Sequence, residues 1–112
     1  MQRDGEKLIF NEKNVQDAAI LETVNGGFAM HPEFTDEEIL FRDRLAERRH
    51  MGREGTVFTI DADEAKIMVR VLENKIKVDS AIATASGMPF ALQGVARASR
   101  ALSEIIDFAE SA

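Results

Sequence analysis

The sequence predicts a mainly α-helical fold: a C-terminal antiparallel helical hairpin with shorter N-terminal helices and a small two-stranded ribbon. Three observations carry this. From Asp61 to Ser86 the chain runs without glycine or proline, longer than any strand would be and unbroken in helix-forming character. In the last segment Ala91, Val95, Ala98, Leu102, Ile105 and Ala109 recur at spacings of four, three, four, three and four, a heptad seam. Between these two stretches the link "SGMP" is so short that two helices joined by it must turn back on each other.

In chain order, residues 7–10 and 56–60 ("LIF" and "VFTI" at their hearts) are strand candidates that can pair as the ribbon. Such a ribbon is marginal alone and needs helices behind it. Asn11 and Asp61 stand as N-cap candidates ahead of apolar-periodic stretches. The first helix is expected from about Asn14 to Val24, with Gly26 and Gly27 ending it by supplying positive φ. Thr35 with Glu38 has capping-box spacing for a second helix over 36–51. Acids fill its first turn and Arg48, Arg49 and His50 its last, as the helix dipole favours, and Gly52 stops it. Asp61 with Glu64 repeats the cap for the long helix, Gly87 ends it, and Pro89 suits the first turn of the last.

The 112 residues, 45% of them hydrophobic, amount to a single domain able to bury roughly two thirds of its unfolded surface. Residues 1–55 hold the N-terminal helices and loops, and residues 56–112 the strand-like segment and the hairpin. Resemblance between "KLIFNEKNVQDAAILETV" and "VFTIDADEAKIMVRVLEN" is one of pattern only. The ends "MQRDG" and "ESA" are polar enough for disorder. No apolar run of about 18 residues and no cleavable leader pattern is present, so a soluble, cytoplasmic protein without a membrane partner is expected. Absence of cysteine excludes disulfides, thiolate metal sites and a cysteine nucleophile.

The net charge of −6 argues against a general nucleic-acid or anionic-membrane coat. One segment departs from it. Arg42, Arg44, Arg48, Arg49 and Arg53 face Asp43 and Glu47 within residues 42–53, a local +3, so a chain of −6 overall carries −9 elsewhere. A helix bearing that basic patch is the basis of a nucleic-acid-binding alternative. Glu38, four residues before Arg42, and Glu47, three after Arg44, are expected to occupy some of these arginines in surface pairs. The chain also lacks Tyr and Trp for base stacking.

No motif points to catalysis or a cofactor. Glu47 and His50 have the Glu-x-x-His spacing of di-iron bundles, yet two arginines separate them and a helix C-terminus accounts for the histidine. "DADE" opens like a calcium loop but has Lys66 and Leu72 where glycine and glutamate belong. "NGGF" and "GREGT" lack the phosphate-loop pattern, and His31 has no nucleophile in a recognisable setting.

Two further features suggest protein contact. Ile67, Met68, Val69, Val71 and Leu72 cover much of one helix circumference, more than a thin wrapping would bury, so a homo-oligomer, a dimer first, is expected. Ala91, Gly94, Ala98 and Ala101 are small where a core helix is usually bulky, which predicts a closely pressed neighbour at the hairpin tip. The expected function is a non-enzymatic regulator, inhibitor or adaptor without a cofactor. It would bind another protein through Met88, Phe90, Val95, Ala98, Leu102, Ile105 and Ile106, with methionine supplying adaptable contact.

Overall fold

The computed structural model describes residues 1–29, 33–47, 57–87 and 89–111, with side chains for all of these except 89–91. The elements are β1 (Gln2–Asp4), β2 (Lys7–Asn11), α1 (Val15–Phe28), α2 (Asp36–Glu47), β3 (Val57–Ile60), α3 (Ala62–Ser86) and α4 (Pro89–Ser111). The mainly α architecture and the α3–α4 hairpin are as the sequence predicts.

The ribbon is present as β2 and β3, antiparallel, with Leu8 opposite Ile60 and Phe10 opposite Phe58. All four of these side chains are buried on one face, as period-two alternation requires. A third strand joins them. The stretch expected to be disordered pairs as β1 along β2, Arg3 opposite Leu8, through a two-residue turn in which Gly5 takes φ +60°, the glycine-first pattern of a tight hairpin. The Met1 ammonium meets the Asp17 carboxylate, whose other oxygen accepts the Asn11 N–H at 2.9 Å. At the other end α4 remains helical through Glu110 and Ser111, also against expectation. Ala112 lies outside the described residues.

Asn14, not Asn11, caps α1, its side chain accepting the N–H of Gln16 and of Asp17. Asn11 closes β2 and accepts the Lys13 N–H instead. The expected stop at Gly26–Gly27 is overturned: α1 passes through both and ends at Phe28, with neither glycine at positive φ. Gly27 is there for room. A Cβ built on it would lie 2.6 Å from Val71 Cγ1 and 3.3 Å from the Val71 carbonyl oxygen, so α1 and α3 cross closely at this point.

The other caps agree with the sequence. Thr35 and Glu38 exchange side-chain-to-backbone bonds at the start of α2, and Asp61 and Glu64 do so at the start of α3. Gly87 ends α3 at φ 65°, and Pro89 opens α4.

One core cluster draws on every element except β1, from Leu8 and Phe10 through Leu21, Val24, Phe41 and Leu45 to Ile105 and Phe108. Phe34, Phe28, Phe41 and Phe58 form a chain of ring contacts with centroids 5.6, 6.0 and 6.1 Å apart, tying α1, α2 and β3 together. Ile67, Met68, Val71 and Leu72 are buried and Val69 partly so. Packing against α4, α1 and β3 therefore covers the apolar circumference of α3 within one chain, and that feature no longer requires a second copy.

Candidate functional site

Of the predicted basic patch, Arg42 and Arg44 are described, and Arg48, Arg49 and Arg53 lie outside the described residues. Both described arginines are occupied, though not by the partners their spacing suggests. Arg42 reaches its neighbour Asp43 at 3.3 Å and lies over the Phe34 ring. Arg44 pairs with the Glu64 carboxylate, donates to the Thr59 carbonyl at 2.9 Å, and places its guanidinium 4.4 Å from the Phe58 ring centroid. Glu38 is buried and meets Arg70 at 3.2 Å. Glu38 and Arg44 make tertiary pairs in place of the expected ones with Arg42 and Glu47, because α2 turns these two side chains toward α3 and β3.

Arg44 thus clamps α2 to the start of α3. Arg44→Ala is expected to lower stability by about 1–2 kcal/mol through loss of the charged hydrogen bonds and the cation–π contact. Equilibrium urea unfolding reads this directly, and a similar loss in Arg42→Ala would contradict the special position of Arg44.

The predicted interface residues divide. Ile105 is fully buried in the chain's own core. Val95, Ala98, Leu102 and Ile106 are half-buried. Leu102 packs against the core, and Ile106 borders an open depression of about 430 Å³ with Val69, Ala109, Lys66 and Glu110. Met88 and the Phe90 side chain lie outside what is described.

Beyond Leu72 the hairpin leaves the core. Of the described side chains from Glu73 to Arg100, Ala83 alone is buried, while Ile82 and Leu92 are 53% and 56% exposed. Each stands five residues from Gly87, which puts both about 7.5 Å along the hairpin from its turn. The expected tight packing around Gly94 is not there: a Cβ on Gly94 would meet nothing within 4 Å.

Instead the small residues of α4 border a trough against α1. Two adjoining cavities, of about 290 and 60 Å³, share Ile20, Arg97 and Ala101. Arg97 and Arg100 were not singled out from the sequence. A usable signal existed, since residues 74–100 hold Lys75, Lys77, Arg97 and Arg100 against the single acid Asp79, and Lys75 is paired to that acid at 2.9 Å.

Among the described residues no group of three or more histidine or acidic side chains could hold a metal ion. Glu47 ends α2, and His31 and His50 lie outside the described residues. Asp61 acts as a helix cap. No described helix is long and apolar enough to cross a membrane. Comparison of the chain with protein families, curated proteins and solved structures finds no match in any of the three.

Proposed function

We propose that this chain is a non-enzymatic protein-interaction module, a cytoplasmic regulator, inhibitor or adaptor, that takes its partner on the distal half of the α3–α4 hairpin and acts by sequestering it. The observation that supports the reading is the pair Ile82 and Leu92, two large aliphatic side chains more than half exposed at one level of a hairpin that has left its core. Isolated exposed apolar residues are ordinary. Paired at the end of a projecting element they are placed as anchors for a hydrophobic pocket, the kind of contact that dominates binding energy.

The test is capture from nuclease-treated lysate of the source cell, comparing the wild-type protein with Ile82→Asp and Leu92→Asp. The expected result is one protein retained at near-stoichiometric yield, lost with either variant while circular dichroism and thermal midpoint stay as in wild type. Capture of nothing after nuclease, with nucleic acid retained in an untreated control, would overturn the reading in favour of the Arg42–Arg53 segment. So would a partner whose binding ignores both substitutions.

A further inference from the structure

Six arginines lie among the described residues, and four are engaged within the chain. Arg3 bonds Ser111 and covers the Phe108 ring, Arg42 meets Asp43, Arg44 meets Glu64, and Arg70 meets Glu38. Among the described residues Arg97 and Arg100 have no such partner, although the chain carries 20 acidic residues against 14 Lys and Arg. They stand one helical turn apart on α4 and line the same trough, whose wall at Ile20, Ala98 and Ala101 is apolar. Of the two acids in that trough, Asp17 is held by the Met1 ammonium and the Asn11 N–H. Glu104 and Arg100 border the cavity at the Met1 end, while Arg97 borders both cavities and is, among the described residues, the one charged residue lining the Gly94 end.

A complementary surface exists on the same molecule. Leu40 of α2 is 70% exposed. Asp36 and Glu37 precede it by four and three residues, and Asp43 and Glu47 follow it by three and seven, so all lie along one exposed stripe of that helix. An exposed leucine flanked by carboxylates is complementary in polarity and charge to an apolar trough bordered by two guanidinium groups.

We infer that the α1–α4 trough is the seat for α2 of a second copy of this chain, with Leu40 entering beside Ile20, Ala98 and Ala101 while Asp36 and Glu37 pair with Arg97 and Arg100. Each copy carries one seat and one α2, and a two-fold arrangement in which two copies exchange them leaves neither surface open. The absence of side chain at Gly94 then has a purpose. It keeps the mouth of the trough clear for a helix from outside. This inference is independent of partner capture at the hairpin tip.

Sedimentation equilibrium from micromolar to several hundred micromolar protein tests it. The wild-type protein is expected to form a reversible dimer that weakens as salt screens the pairs. Arg97→Glu with Arg100→Glu should raise the dissociation constant at least tenfold, and so should Asp36→Lys with Glu37→Lys. An equimolar mixture of the two double variants should recover the dimer, because each then meets a complementary surface. Leu40→Ser, which leaves the first-turn acids of α2 in place, should weaken the dimer without moving the thermal midpoint of the monomer, and Leu92→Asp should leave it intact. A protein monomeric throughout this range overturns the inference, as does a dimer indifferent to both charge reversals or a mixture that associates no better than its components. Loss of the dimer in Leu92→Asp alone would put self-association at the hairpin tip instead and overturn it equally, while saying nothing against partner capture there.

Discussion

Shortening Ile105 to alanine is expected to lower the free energy of unfolding by about 2–5 kcal/mol. The side chain is fully buried and shares the core cluster with Met68, Val71, Leu72 and Phe108. Its removal takes away both the transfer free energy of the lost carbons and the contacts of whatever now borders the void. For a domain whose whole stability is about 5–15 kcal/mol, that is a large share. Urea titration should show a lower midpoint with an unchanged slope, since the surface exposed on unfolding hardly alters. Leu92→Ala, at an exposed position on the same helix, should fall within about 0.5 kcal/mol of wild type. Equal effects at the two positions would mean that the heptad seam is not turned toward α3.

Alanine at Gly26 and alanine at Gly27 are expected to move stability in opposite directions. Both glycines lie inside α1 with ordinary helical φ, so each substitution gains up to about 1 kcal/mol of helix propensity. At Gly26 the new methyl would rest 3.6 Å from Lys75 Cε, normal contact with a flexible side chain, and the gain survives. At Gly27 it would meet Val71 Cγ1 at 2.6 Å and backbone at 3.3 Å. Val71 is buried and β-branched, with little freedom to turn aside. Overpacking typically costs about 1–3 kcal/mol, which outweighs the propensity gain. A lowered thermal midpoint for Gly27→Ala beside a raised one for Gly26→Ala is the expected pattern. A stabilised Gly27→Ala would show that α1 and α3 do not approach this closely.

These glycines show how a local signal can be read correctly as unusual and wrongly as to cause. Adjacent glycines after an amphipathic stretch most often end a helix, but glycine also permits a close crossing, and the two uses look alike until the crossing partner is known. The small residues of α4 invite the reverse error. Ala91, Gly94, Ala98 and Ala101 suggest a neighbour pressed close, whereas Gly94 faces open space and Ala98 and Ala101 border a trough. Charge pairing carries the same lesson. Glu38 and Arg42 have favourable helical spacing, yet the buried carboxylate of Glu38 meets Arg70 of another helix, where desolvation strengthens the attraction.

What the sequence determined by itself was everything decided within a few residues: the caps at Thr35 and Asp61, the stop at Gly87, proline at the start of α4, the strand alternation of Leu8, Phe10, Phe58 and Ile60, and the hairpin imposed by its short link. Hydrogen bonds to neighbouring backbone groups and the periodicity of side chains along one element settle these locally. Only the tertiary structure decided that Ile105 belongs to the core, that Gly27 is a crossing point, that the first residues form a strand, and that Arg44 is a clamp while Arg97 and Arg100 line a trough. Each of those depends on which surface of a distant element arrives opposite a given side chain. That arrangement is set by the joint packing of β2, β3 and the helices around one core, a property of the whole chain that no short window contains.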